Sequence, residues 1–245
     1  MIVMRADLFV TCLIDAFFPE VGESVVRVLQ RAGVDLGFPA GQTCCGQPLF
    51  NTGYRDLARA QARRTLAVLE ERRIPVIVPS GSCASMIRHG YPELFREAPE
   101  DLARAKEVAG RTFEFSEFLV EVLGWEPPRC PATGLVYHAS CHLQRGLGVD
   151  AAPRLLLEQC CGAPVPALDS ECCGFGGAFA AEHADISSAM LARRLEQIQA
   201  SGAGRVVAND VGCLMHLEGG LRRAGSSVRC LHLAQVLDGR GDRLR

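Results

Sequence analysis

Two adjacent cysteines followed by glycine occur at Cys44-Cys45-Gly46 and again at Cys172-Cys173-Gly174. Each pair is framed by one cysteine well before it and one well after it. Cys44 lies 32 positions after Cys12, and Cys172 lies 31 after Cys141. Cys83 follows Cys45 by 38 positions, and Cys213 follows Cys173 by 40. Four cysteines recurring in the same order at nearly equal spacing mean that the chain is written twice, and duplication is the simplest account. A fold that uses these cysteines together must bring three distant segments to one place, and must do so in both halves.

The text around the cysteines repeats as well. Residues 5–11 read as a short buried strand running into Cys12, and residues 134–140 do the same before Cys141. A helical stretch follows, with Val21, Val25, Val28 and Leu29 on one face in the first copy. A short apolar segment comes next, VDLGF or APVPAL, and then the CCG loop. Helices are expected at about 52–72 and 182–201, followed by buried strands in IPVIVPS and RVVAND. Each copy closes on similar text, FEFSEFLVEVLG or VRCLHLAQVLDG. Strands alternating with helices predict parallel βαβ units. The expected fold is therefore α/β, with two pseudo-repeated lobes, each a small mostly parallel sheet flanked by helices. The lobes are placed at residues 1–128 and 129–245, joined near EPPRCPATG, residues 126–134. The framing cysteines then fall at the C-terminal ends of strands, where open α/β sheets build their sites.

Bulk properties narrow the function. With 245 residues and 48% hydrophobic content the chain can build ordinary packed cores. A formal net charge of -2 and the lack of any Lys/Arg run argue against nucleic acid as a partner. Met1–Asp7 lacks the marks of a signal peptide, and Asp15 ends the apolar run around Leu8–Ile14 far short of a transmembrane segment. The expectation is a cytoplasmic protein. In a reducing compartment, 12 cysteines in a chain of this length point to metal or redox chemistry rather than to a disulfide scaffold. No GxGxxG fingerprint follows a strand, and no flavin site is recognisable.

Neighbouring residues on an extended strand face opposite ways, so two adjacent cysteines serve one site only where the backbone turns. The glycine after each pair permits the positive φ that such a turn needs. Four thiolates from three segments can hold a [4Fe–4S] cluster or a tetrahedral zinc. Zinc is usually held by two close CxxC-type pairs, which neither copy has. The candidate ligands are Cys12, Cys44, Cys45 and Cys83 in the first lobe, and Cys141, Cys172, Cys173 and Cys213 in the second.

Taken together, LFVTCLIDAFFPEVGESVVRVLQRAG, FPAGQTCCGQPLFNTGY, PSGSCASMI, SCHLQRGLGV, CCGFGGAFA and GCLMH resemble the tandem cysteine-rich CCG family. That family includes the disulfide-cleaving subunit of heterodisulfide reductase and iron–sulfur subunits of glycolate- and glycerol-3-phosphate-oxidising enzymes. The resemblance spans essentially the whole chain and is strongest to the small, free-standing members that serve lactate utilization. It implies an oxidoreductase component: an iron–sulfur subunit of a complex oxidising L-lactate to pyruvate, with up to one cluster per lobe. It also implies electron transfer beside companion lactate utilization proteins B and C. The chain departs from the heterodisulfide reductase subunit, where each copy ends in CxxC and five cysteines hold a noncubane cluster. Here the partner position holds Ser80 or Met86 in the first copy and Asp210 or His216 in the second. Four-cysteine ligation is thus the expectation, with a disulfide-cleaving subunit and a zinc-stabilised scaffold as alternatives.

Other residues invite quieter readings. Cys160-Cys161-Gly162 also spells CCG but has no counterpart in the first copy. It ends an expected helix, with Gly162 as its C-terminal cap. Cys130 sits in the linker, and Cys230 reads as packing. His142 and His216 adjoin second-copy cysteines and are weak candidates for a proton donor or extra ligand. Arg145 is a weak candidate for holding a carboxylate, such as that of lactate or another small 2-hydroxy acid. His138 falls inside an expected strand and reads as structural. Gly174, Gly176 and Gly177 suit a tight turn or a close approach to the backbone.

Overall fold

The computed structural model describes residues 4–130 and 132–239. The chain divides into two compact units, with the break between Leu123 and Gly124.

The first unit is built on a four-stranded parallel sheet in the order β2-β1-β3-β4: β1 Met4–Leu8, β2 Val34–Gly37, β3 Val76–Val78 and β4 Thr112–Glu114. All three residues of β3 are buried, as a strand covered on both faces requires. Helix Pro19–Arg31 buries Val21, Ser24, Val25, Val28 and Leu29, the face that its apolar spacing marks. Helix Arg55–Glu70 buries Ala58, Ala62, Thr65, Leu66 and Leu69 in the same manner.

The second unit has three parallel strands in the order β5-β6-β7: β5 Leu135–Tyr137, β6 Arg205–Ala208 and β7 Arg229–His232. The segment that repeats β2 is APVPAL, and it makes only an isolated bridge, Tyr137 to Ala167. The reason is covalent. Pro164 and Pro166 carry no N–H and cannot extend a ladder. Two bonds fasten the segment, from Tyr137 N–H to Pro166 O (2.8 Å) and from Leu168 N–H to Tyr137 O (2.9 Å). Helix Ala184–Ala200 takes the place of Arg55–Glu70.

The strands are shorter than the sequence suggests, and the framing cysteines lie just beyond them, in the turns that open the following helices. Cys12 starts helix Cys12–Phe17 after β1. Cys83 is in Gly81–Ser85 after β3. Cys213 is in Val211–Arg223 after β6. Cys141 precedes a π-helical turn, His142–Gly146, after β5. This is still the C-terminal edge of each sheet. Homologous helix starts are capped by different chemistry: Glu114 accepts from Ser116 and Glu117 N–H in one unit, and His232 Nδ1 accepts from Ala234 N–H in the other.

Residues 125–130 and 132–134 form neither helix nor strand. Cys130 is joined to Cys160 by a disulfide, with the Cα atoms 5.1 Å apart. Cys160 is thus structural, and Gly162 (φ 78°) caps its helix as the sequence suggests. Cys230 packs against the second unit's core. Among the described residues no helix is long and apolar enough to cross a membrane.

One buried charge in β1 sets a pH dependence. Asp7 is 1% exposed, its Oδ1 accepts from Arg72 Nη1 at 2.7 Å, and its Oδ2 has no hydrogen-bond partner among the described residues. Burial raises its carboxyl above the ordinary value, outweighing the attraction of Arg72. A carboxyl raised in the folded state stabilises the fold in acid, and that contribution is lost as pH rises through the folded value. Asp7→Asn should therefore gain stability relative to wild type between acid and neutral pH, measured by urea unfolding at both. A stability difference that shrinks with rising pH would contradict the assignment.

Candidate metal centres

In the first unit the CCG loop is tied to both of the other cysteine segments. Gln42 donates from Nε2 to Leu8 O (2.8 Å) and accepts at Oε1 from Val10 N–H (3.0 Å), which fixes the loop to the end of β1. Gln47 Nε2 donates to Ser82 O at 3.0 Å, beside Cys83. Gln61, from helix Arg55–Glu70, donates to Cys44 O at 2.8 Å, and the Tyr91 hydroxyl donates to Cys45 O at 2.9 Å. Gly46 turns the chain at φ 85°, and its N–H points back to Cys44 Sγ at 3.4 Å. The four thiols act on one another: Cys12 and Cys45 both interact with Cys44, and Cys45 Sγ lies 3.4 Å from Cys83 Sγ. Cys45 and Cys83 are buried, Cys44 is half-buried and Cys12 is exposed.

The second unit repeats this arrangement with other supports. Gly174 turns at φ 90°, and its N–H meets Cys172 Sγ at 3.4 Å. The Ser187 hydroxyl donates to Gly174 O at 2.8 Å, and the buried Arg194 donates to Glu171 O just before the pair. Cys141 Sγ lies 3.9 Å from Cys172 Sγ, and Cys173 Sγ lies 3.2 Å from Cys213 Sγ. All eight cysteines singled out by the repeat thus gather into two groups of four.

The electrostatics also repeat. Hydrogen bonds from Cys12, Cys45 and the Gly46 N–H pull the Cys44 thiol down to about 3. Bonds from Cys141, Cys173 and the Gly174 N–H pull Cys172 down to about 2, with a smaller contribution from the Arg145 charge. The thiols of Cys12, Cys45, Cys141 and Cys173 are all raised, first by bonding to that thiolate; for Cys45 and Cys173 the bonds to Cys83 and Cys213 come next, and burial adds in every case. Negative charge shared among each group's thiols is therefore drawn toward the first cysteine of its CCG. The neighbours give up their protons when a cation arrives to take the charge, so metal binding releases protons. Four soft, clustered thiols fit an iron–sulfur cluster or zinc, and fit calcium or magnesium poorly.

The weaker candidates separate. His142 Nδ1 is 3.6 Å from Cys141 Sγ. His216 stands off the thiols, with Nε2 3.4 Å from Ser187 Oγ and its ring against Phe175. Arg145 is exposed on the π-helical turn that follows Cys141. Ser80 and Asp210 occupy matching positions three residues before Cys83 and Cys213. Each sits at the N-cap of its cysteine helix and is buried. Ser80 Oγ accepts from Cys83 N–H, and Asp210 accepts from Ser140 Oγ. Met86 turns its sulfur toward Gly90.

His138 lies nearer the thiols than the sequence suggests. It lies one residue beyond β5, and a ring nitrogen lies within 4.8 Å of the sulfurs of Cys173 and Cys213, which themselves fall within that distance of each other. Burial pushes the imidazole down to about 4, with Arg194 adding to the effect. A signal was present in the sequence: aligned copies set His138 opposite Phe9, each three positions before a framing cysteine.

Comparison with known proteins gives a consistent picture. The model of the CCG cysteine-rich domain matches residues 6–88 and again 135–218. Lactate utilization protein A 2 of Bacillus cereus (strain Q1) is 43% identical over 239 residues, covering 96% of this chain and 98% of that protein. Lactate utilization protein A of Macrococcus caseolyticus is 40% identical over 238 residues, covering 96% of each. A hypothetical protein from Helicobacter pylori of known crystal structure shares the fold, with a TM-score of 0.69 at 15% identity. This chain is 99% covered in that match but spans 50% of the other.

The CCG turn makes a graded prediction. A Cβ on Gly174 would lie 2.8 Å from Ser187 O at a φ of +90°, whereas one on Gly177 (φ +67°) would meet nothing within 4 Å. Gly174→Ala should cost about 1–3 kcal/mol more than Gly177→Ala, because it adds overpacking to the left-handed strain common to both. It should also lower the metal content of the second lobe. Thermal unfolding and metal analysis of both variants check this. Equal losses would show that the close approach at Gly174 is unimportant.

Proposed function

Since this chain belongs to the cysteine-rich CCG family, with the lactate utilization A proteins as its relatives, we propose that it is the iron–sulfur subunit of a system that oxidises L-lactate to pyruvate. The observation that carries the reading is the pair of four-thiol groups, at the positions where the family model matches and in a chain matching those relatives over 96% of its length. Each group would hold one cluster, the first on Cys12, Cys44, Cys45 and Cys83, the second on Cys141, Cys172, Cys173 and Cys213. Bound there, a [4Fe–4S] cluster supplies one-electron acceptance and donation.

The residues of the chain supply the rest. Gly46 and Gly174 N–H groups hold negative charge on Cys44 and Cys172. Such donors to cluster sulfurs tune reduction potential. Burial of Cys45, Cys83, Cys173 and Cys213 keeps water from the inner side of each site, and exposure of Cys12 leaves an outer side open to a redox partner. Lactate oxidation releases two electrons and two protons, so companions of the B and C type are the natural electron-transfer partners, in the cytoplasm. Where lactate meets this chain, Arg145 would face its carboxylate and His142 would handle a proton. Disulfide cleavage of the heterodisulfide reductase kind is disfavoured, because neither candidate position for a fifth thiol, Ser80 or Met86 in the first copy and Asp210 or His216 in the second, holds a cysteine.

One observation favours zinc as a second reading. Neighbouring sulfurs lie 3.2–3.9 Å apart. Two thiolates on one tetrahedral zinc, each at about 2.3 Å, stand roughly 3.8 Å apart, whereas thiolates on separate irons of a cube spread farther.

Deletion of the gene from its host should abolish growth on L-lactate while sparing growth on pyruvate. Wild-type chain should restore it, and Cys44→Ser or Cys172→Ser should each fall at least tenfold short in lactate-dependent electron transfer. Each serine variant should also lose about one centre's metal. Full lactate growth by the double variant, at normal protein levels, would refute the role.

A further inference from the structure

The four-thiol reading leaves one buried ionisable group in the second lobe unused. His138 is fully buried, and neither ring nitrogen has a hydrogen-bond partner among the described residues. A buried polar group left without a partner is destabilising, so such an arrangement calls for an explanation. Arg194, Asp210 and the Cys172 thiolate are the charged groups that act on it, and none bonds its ring.

Packing does not demand imidazole at this place. The repeat puts Phe9 at the same point in the first lobe. Phe9 is likewise buried, and its N–H donates to Ile77 O at 2.9 Å just as the His138 N–H donates to Val207 O at 2.8 Å. An apolar ring therefore satisfies the fold, with no orphaned nitrogens. What distinguishes His138 is its neighbours: a ring nitrogen, Cys173 Sγ and Cys213 Sγ all lie within 4.8 Å of one another. A buried nitrogen with no other partner, aimed among thiols, has the chemistry of a ligand.

We propose that His138 is a nitrogen ligand of the second lobe's metal centre, so that the two lobes hold chemically different centres. The first is all-thiolate, with Phe9 at the position that matches His138, and the second combines imidazole with thiolates that include Cys173 and Cys213, in place of one of the four cysteines. This rests on the reading of the second lobe as a metal centre. Imidazole brings no negative charge, so a redox centre that it ligates accepts an electron more readily than its all-thiolate counterpart.

The test uses the full chain carrying Cys44→Ser, which confines metal to the second lobe, purified without air. Metal analysis comes first. X-ray absorption at the edge of the metal found there then reads the ligand shell. If that metal is zinc, the expected shell includes nitrogen at about 2.0–2.1 Å beside sulfur at about 2.3 Å. If it is iron, pulsed EPR of the reduced centre should show a nitrogen coupling that changes isotope with 15N-histidine. The coupling or nitrogen shell should vanish in His138→Phe, which installs the first lobe's residue, and persist in His142→Gln and His216→Gln. A sulfur-only shell, or a nitrogen signal that survives His138→Phe, overturns the inference while leaving the metal centre standing. Absence of metal from the Cys44→Ser chain overturns both. The labelled chain with His138 intact gives its answer even if His138→Phe fails to fold.

Discussion

A glycine N–H aimed at the sulfur two residues before it, Gly46 to Cys44 and Gly174 to Cys172, is the contact on which both centres depend. It exists only because the backbone turns with positive φ directly after the cysteine pair. That turn lets two adjacent sulfurs serve one site, where an extended strand would send them to opposite faces. It also supplies the donor that, with the neighbouring thiols, keeps the first cysteine of the pair ionised at neutral pH. The parallel sheets then do one job. They end their strands at a common edge, so that helices opening there carry Cys12 and Cys83, or Cys141 and Cys213, to the turn.

The duplicated halves preserve this geometry while changing its supports. In the first unit three glutamines and Tyr91 hold the loop by its carbonyls and by its links to Leu8 and Ser82. In the second, Ser187 and the buried Arg194 do so. Ser80 becomes Asp210, Glu114 becomes His232, and Phe9 becomes His138. The supports differ between the two units although the fold is the same.

Much of this was legible in the sequence. The near-equal spacing of eight cysteines pointed to two thiol groups, one in each unit, and the 3.6-residue pattern at Val21, Val25, Val28 and Leu29 marked the buried face of its helix. Other features depend on partners distant in sequence and left no local trace. The carbonyl bonds of Gln61 and Tyr91 and the Cys130–Cys160 link are of this kind. Two features were written plainly but need the copies set side by side. Pro164 and Pro166 forbid the strand that Val34–Gly37 forms. His138 stands where the other copy keeps Phe9, and inside an apolar strand a single histidine reads as structural until its thiol neighbours are seen.

The central claim is that both four-thiol groups hold redox-active inorganic clusters. Iron, zinc and acid-labile sulfide per chain, measured on protein purified without exposure to air and followed by EPR on reduction, test it most directly. The account predicts iron with matching sulfide, approaching one cluster per lobe, and a signal on reduction. Stoichiometric zinc without sulfide would contradict it and turn the same eight cysteines into structural metal sites.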